Sequence, residues 1–295
     1  CVNDGSSDHT AEILREWRDR DGRVRVIDRK NSGVSAARNS GMEAAAGKYI
    51  GFVDPDDVVE RNMFRRLFDA AVEKDADVAV CGYHEFCDRG GMDMPESGWS
   101  PSAGFFPEEK AERFRRGTPW SRCAGTVWNK LIRRELLLEN DIRFGEEFAI
   151  CEDMAFSMQV LEKSKGICVV PESLYCYHYK EAENLVNRFH ENYYEALLYF
   201  RDRTWQCFRT LQAKQELYAE VNACFVGKSL MYLHKIYRDS GYEETRKYAE
   251  LKRIGGSLPL QNALREYRAT GKRRLLRELL LHKRFRLLDS LYRWR

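Results

Sequence analysis

What the sequence lacks narrows it first. No apolar run approaches the roughly 18 to 20 residues that span a bilayer, so the chain as given is not an integral membrane enzyme. Nine cysteines are present, an odd number, and no two stand at CxxC spacing, so a structural zinc site has little to build on. With no secretory signal ahead of them, the cysteines read as reduced, mostly structural thiols and the protein as cytoplasmic. There is no internal repeat and no low-complexity segment. The chain does not open with Met either: "CVNDGSSD" reads like the end of a strand running into a turn, so the expectation is that the front of a domain is missing.

What is present describes a soluble globular protein. At 295 residues, with 43% hydrophobic and 32% charged residues, there is room for one large domain or two small ones. The formal charge of +3 hides an asymmetry, because residues 271–295 hold nine Lys/Arg against Glu278 and Asp289, a local +7 that leaves −4 on the rest. In that tail Leu276, Leu280, Leu287, Leu291 and Trp294 fall roughly on one helical face. Two readings stay open: a basic amphipathic segment that meets the anionic inner face of the plasma membrane, or a helix packed on the domain with a solvated basic rim. Nucleic-acid binding has only the tail's charge behind it and is not expected.

Along the first half, strand-like and helix-like segments alternate. Ser7 or Asp8 can cap a helix that carries Ile13, Leu14 and Trp17 on one face, with Gly22 beyond its end. A strand follows at 23–28, an Ala-rich helix at 35–47, and an apolar strand at 49–54. Then come an amphipathic helix at 60–74, with Met63, Leu67, Ala70 and Ala71 at helical spacing, and a strand at 77–86. Such alternation predicts an α/β fold with a mostly parallel sheet and helices on both faces. In such sheets ligands bind where the loops leave the carboxyl ends of the strands. Three polar clusters fall there: Asp4, the run Asn31 to Asn39, and "DPDD" at 54–57. Carboxylates as crowded as Asp54, Asp56 and Asp57 need water, a helix N-terminus or a cation to offset their repulsion.

The motifs carry a resemblance. "VNDGSSD" (2–8), "NSGVSAARNSG" (31–41), "KYIGFVDPDD" (48–57) and "CEDMAF" (151–156) resemble, in order and spacing, the family 2 glycosyltransferases of GT-A fold. "VWNKLIRRELL" (127–137) and "LYCYHYK" (174–180) are similar to stretches of bacterial members that build capsule, exopolysaccharide and cell-wall glycans. The likeness covers residues 1–180, taken as the catalytic domain, and implies that a first strand and helix are missing from the front. Residues 181–295 read as a helical appendage whose chemistry is not legible, with the basic tail from 271.

The resemblance implies an inverting, metal-dependent transfer of a sugar from a nucleotide diphosphate, a UDP-sugar by preference, to a hydroxyl of a glycan or lipid-linked acceptor. A diphosphate leaving group needs a cation, and hard oxygen ligands suit Mg²⁺ or Mn²⁺. By resemblance Asp54-Pro55-Asp56 is the DxD motif, with Asp56 on the metal and Asp54 on the ribose or the metal's water shell. Asp57 has a second reading, as cap of a helix beginning near Val58. Asp4 beside Gly5 matches the residue that accepts from the base, or serves an Asx-turn in "NDGS". Arg38 matches a residue near the nucleotide, or pairs with Asp4 or Asp54. A hydroxyl that attacks at neutral pH needs a base, and the match selects Asp153. Successive helical residues point about 100° apart, so Glu152 and Asp153 are not expected to face one atom, and Glu152 would hold a neighbouring group. His178 and Lys180 stand where relatives carry basic residues that reach the diphosphate, although a His among aromatics is commonly structural.

"EAENLVN" departs from the Gly-Ser that often follows in relatives. The Gly-, Pro- and Ser-rich stretch 88–126 reads as a mobile surface loop beside the acceptor cleft, with Trp120 a candidate sugar platform. Trp128 reads as buried packing in a helical-looking segment. A non-catalytic sugar-nucleotide-binding or scaffold protein of the same fold is the alternative from another class, and a sugar-nucleotide pyrophosphorylase the third. No Q-x-x-R-W is present, which disfavours a processive synthase.

Overall fold

The computed structural model describes residues 1–88, 93–107, 125–147, 150–180, 189–210 and 215–294. The chain divides into two compact units, Cys1–Lys180 and Glu181–Arg295.

In the first unit β1 (Val2–Asn3) and β2 (Ile27–Asp28) pair in parallel, Val2 opposite Ile27, because α1 (Thr10–Arg20) carries the chain back between them. The Thr10 N–H donates to Asp8 Oδ1 (3.1 Å), which holds the entry to α1. The apolar face predicted for α1 forms, but Ile13 and Trp17 remain 52% and 54% exposed and no residue of this helix is buried. Next come α2 (Val34–Ala44), β3 (Tyr49–Gly51), β4 (Val58–Val59), α3 (Met63–Glu73) and β5 (Val78–Asp88). They are followed by β6 (Asp93–Trp99), β7 (Gly104–Pro107), β8 (Lys130–Arg133), α4 (Arg134–Glu139), α5 (Glu152–Lys163) and β9 (Gly166–Lys180).

The main sheet runs β3-β8-β5-β9-β4, with β6 on β5 and β7 on β9. It is mixed. Among the described residues only β5 and β9 pair in parallel within it, and its other pairings are antiparallel, so the expectation of a mostly parallel sheet is corrected. The alternation in sequence records that helices intervene, whereas the short returning strands β4, β6, β7 and β8 decide the directions. The 88–126 stretch is corrected too, in part: β6 and β7 lie within it. Its composition misleads because the glycines allow close cross-strand approach. A Cβ on Gly82 would stand 2.3 Å from the Trp99 carbonyl oxygen, and one on Gly98 would stand 2.5 Å from that of Tyr83. Trp120 lies outside the described residues.

The helical-looking "VWNKLIRREL" is strand β8 followed by the short α4. Arg133 ties β8 in place, its Nε donating to Asp77 Oδ1 (2.8 Å) and its backbone N–H to the Asp77 carbonyl (2.7 Å). Trp128 is buried, as its apolar setting predicts, and stacks on Tyr175 at 4.1 Å. Helix α3 lays Met63, Leu67 and Ala71 onto Ala79, Cys81, Leu131 and Val170 of the sheet, and this core holds the strand ends that carry the site.

The second unit is helical among the described residues: α6 (Tyr193–Thr210), α7 (Gln215–Asp239), α8 (Glu244–Gly255), α9 (Leu258–Glu266), α10 (Gly271–Leu281) and α11 (Phe285–Arg293). The single amphipathic face expected for the tail is split. Lys283, with φ +50°, breaks the segment into two helices, and Leu280, Leu288 and Tyr292 turn inward. Leu287, Leu291 and Trp294 are left on the exposed side. No helix among the described residues is long and apolar enough to cross a membrane.

Candidate active site

The site is assembled from the ends of β1, β2 and β3 and the start of α5. After β1 the Asn3 side chain closes the turn, accepting from the Ser6 N–H (3.0 Å) and donating to Asp28 (2.8 Å). Gly5 takes φ +76°, and a Cβ there would lie 2.9 Å from the Asn31 nitrogen, so glycine lets the first loop lie against the second. Asp4 braces the two loops, accepting from the N–H groups of Ser32 (3.1 Å) and Gly33 (2.8 Å) and pairing with Arg29 Nε at 3.1 Å. The turn-closing role thus belongs to Asn3, and Arg38 does not take Asp4 as its partner.

Helix α2 presents Arg38 and Asn39. Asn39 is buried and acts like a strand partner: its amide donates to the Phe144 carbonyl (3.0 Å) and to Glu146 (3.1 Å), and its oxygen accepts from the Phe144 N–H (2.9 Å). Phe144 is thereby fixed beneath Arg38, whose guanidinium carbon sits 5.3 Å from the ring centre. Phe144 stacks on Phe156 at 4.0 Å, and Phe52 meets both rings edge-on.

Above this aromatic floor Arg38 gathers three carboxylates. Nη2 donates to Asp54 Oδ1 (2.9 Å), and Nη1 donates to Glu152 Oε1 (3.2 Å) and to Asp153 Oδ1. The expectation that Glu152 and Asp153 cannot face one atom is therefore corrected. They occupy the first turn of α5, after Cys151 in the left-handed region, and the extra methylene of Glu brings its carboxylate round to the same nitrogen. Burial works against the charge of Arg38, and the three carboxylates more than restore it, holding the guanidinium above its ordinary value. For Asp153 burial is the larger effect. Arg38 favours its ionised form, Glu152 and Asp54 oppose it, and its carboxyl rises above the usual carboxylate range.

The acid loop after β3 is held from β9. Asp57 is not a helix cap, because Val58–Val59 form strand β4. Its Oδ2 accepts from the Tyr175 hydroxyl (2.6 Å) and its Oδ1 from the His178 N–H (2.8 Å). Burial pushes the Asp57 carboxyl up to about 6, with these hydrogen bonds pulling the other way. Tyr175 also accepts from the Asp54 N–H (3.1 Å). His178 stacks its ring on Phe86 at 5.0 Å. Lys180 ends β9, and its side chain lies outside the described residues.

Asp56 points out of this network, exposed, with no hydrogen bond or ion pair among the described residues. No group of three or more His, Cys, Asp or Glu forms a metal cage among them. One free carboxylate, with the second oxygen of Asp54 nearby in sequence, fits a hard cation completed by substrate phosphates and water.

The motif reading passes over Asn39, Asp57 and Tyr175 without giving them these partners, and Phe144 lies outside it. The alternation of Tyr175 and Tyr177 along β9 is the available signal, since a buried tyrosine hydroxyl needs a partner.

The family model for glycosyl transferase family 2 matches residues 1–139. The glycosyltransferase EpsJ of Bacillus subtilis is 36% identical over 177 residues, 60% of this chain and 51% of that protein. EpsH of the same organism is 28% identical over 257 residues, 86% of this chain and 72% of that one. This chain therefore spans about half of EpsJ. In crystal structures, S. aureus TarS 1-349 in complex with UDP-GlcNAc superposes with a TM-score of 0.66 at 21% identity, over 99% of this chain and 79% of that one. That likeness establishes the fold as GT-A.

Proposed function

We propose that this chain, whose residues 1–139 match the model of glycosyl transferase family 2 and which resembles EpsJ over 177 residues, moves a sugar from a nucleotide diphosphate to a hydroxyl. The donor proposed is a UDP-sugar, in line with the UDP-GlcNAc held by TarS, and the acceptor is a glycan or lipid-linked glycan of the cell surface or wall. The observation that carries the reading is Arg38. It joins Asp54 of the acid loop to Asp153 at the start of α5, 115 residues beyond Arg38, so that donor-side and acceptor-side groups share one cluster.

Asp4 and the loop it braces offer the base pocket, Asp54 would face the ribose or the metal's water shell, and Asp56 would hold Mg²⁺ or Mn²⁺. The bound cation supplies positive charge for the departing diphosphate. Asp153 takes the proton from the acceptor hydroxyl, whose oxygen attacks the anomeric carbon opposite the leaving group and inverts it. Glu152 shares Arg38 with Asp153 and keeps the guanidinium beside the base. His178 and Lys180 are assigned to the diphosphate side. The tail at 271–295 would set the enzyme on an anionic membrane surface, where a lipid-linked acceptor is presented.

Calorimetry with UDP, in Mn²⁺ and in chelator, tests the centre of this reading. Binding by the wild-type chain is expected to need the metal, and Asp56→Asn to weaken it at least tenfold while the melting temperature holds. Equal affinity in the variant would remove Asp56 as the metal ligand.

A further inference from the structure

We propose that Tyr175 is a positioning residue for donor binding, a clasp whose hydroxyl sets the acid loop so that Asp56 is presented to the metal and diphosphate. The inference rests on the assignment of that loop to the donor. Tyr175 lies in β9, fully buried, its ring stacked on Trp128. A phenylalanine would fill the same space. The hydroxyl is what reaches the loop, and it does so twice, accepting from the Asp54 N–H (3.1 Å) and donating to Asp57 Oδ2 (2.6 Å).

These two contacts bracket Asp56. Within the loop itself there is one backbone bond, from the Asp57 N–H to the Asp54 carbonyl (3.2 Å). Beyond Asp57 the chain enters the ladder in which Val58 faces Cys176 and Val59 faces Tyr175. The loop is thus fixed at its far end by strand pairing, at the Asp54 side chain by Arg38, and at both Asp54 and Asp57 by one phenol. Asp56, between the two gripped residues, keeps its carboxylate exposed. Fixing a ligand-bearing loop in advance spares the ordering cost that binding would otherwise meet. The clasp also ties the loop to the strand carrying His178, whose N–H completes the grip on Asp57 (2.8 Å).

The test uses the full chain with Tyr175→Phe, Asp57→Asn and the double variant, measuring UDP affinity by calorimetry with and without Mn²⁺ beside thermal melts. Tyr175→Phe is expected to lose about tenfold in Mn²⁺-dependent affinity, the worth of one well-placed hydrogen bond, with little change in melting temperature. The double variant should lose less than the sum of the two single losses, because both single changes disturb the Tyr175–Asp57 contact while Tyr175→Phe alone also removes the one to Asp54. Wild-type affinity in Tyr175→Phe, or losses that add, would overturn the clasp. If Tyr175→Phe melts early, Asp57→Asn decides alone, since it leaves the aromatic packing intact: a similar loss supports the clasp and none overturns it. A wild-type chain that binds UDP without regard to Mn²⁺ would instead refute the donor-site reading, and the clasp with it.

Discussion

The two units handle charge in opposite ways. In the first, Arg38 sits half-buried among Asp54, Glu152 and Asp153, one cation against three carboxylates drawn from two other segments of chain. In the second, Arg253 pairs with Glu250 and Glu195, Lys247 with Glu244, and Arg293 with Asp289 and Glu244, one or two anions to each cation, and each pair has at least one partner substantially open to solvent. Pairs of the second kind are worth about 0 to 1 kcal/mol and can be exchanged freely. A buried, unbalanced cluster is costly to maintain and persists where it serves a task. The contrast singles out the Arg38 cluster as a candidate site without any motif.

Arg38→Ala should produce the largest effect. It strands three carboxylates around an empty guanidinium site, and loss of one partner of a buried pair costs about 3 to 5 kcal/mol. Urea melts should show that loss together with abolished transfer, whereas Arg253→Ala should cost about 1 kcal/mol or less. Equal costs for the two would erase the distinction between the units.

Asp153→Asn follows, with transfer falling about 10² to 10⁴-fold while UDP binding stays intact. The pH dependence sharpens it. Because the folded-state pKa of Asp153 is raised, the folded protein holds this proton more tightly than the unfolded chain. Its contribution to stability is therefore present below the ordinary carboxylate pKa of 3.8 and is lost as pH rises through the raised one. Transfer moves the opposite way, rising over the same range as the base ionises. In Asp153→Asn both trends should vanish together, and a wild-type pH profile in that variant would remove Asp153 from the mechanism.

The legibility of the two units in sequence differs for the same reason. In the first, polar clusters at the ends of consecutive strands announce that Asp4, the run holding Arg38, and Asp54 converge, whereas Asp153 is reached only through the family resemblance. Partners joined across the sheet are not announced. Tyr175 and Asp57 lie 118 residues apart, and neither has a local pattern that names the other. Likewise the sharing of Arg38 by Glu152 and Asp153 depends on the left-handed Cys151 ahead of α5, which ideal helical geometry does not foresee. Strand direction is illegible because β4, β6, β7 and β8 are short or disguised by Gly and Pro. In the second unit apolar periodicity foretells helices but not which of them pair, as with Arg253 and Glu195, which lie 58 residues apart.

The smallest effect is expected from that second unit's tail, where charge acts as a field and not as a network. Arg284 and Arg286 are exposed beside Leu287, Leu291 and Trp294, while Leu288 and Tyr292 face inward and the Tyr237 hydroxyl donates to Asp289 at 2.7 Å. The inward contacts fix the helix, so the outer residues are free to meet a surface. Each basic group near an anionic bilayer contributes about 1 kcal/mol, falling off within a Debye length of about 8 Å. Arg286→Gln should therefore weaken binding to vesicles rich in phosphatidylserine about fivefold, with unchanged melting temperature and a loss that shrinks as salt is raised. Neutral vesicles should bind both proteins equally weakly. A single substitution that abolished vesicle binding outright, or that lowered the melting temperature, would mean that Arg286 sits in a specific contact, and the contrast between a convergent site and a diffuse field would fail at this point. Binding by neutral vesicles as strong as by anionic ones would assign the tail to its apolar face alone.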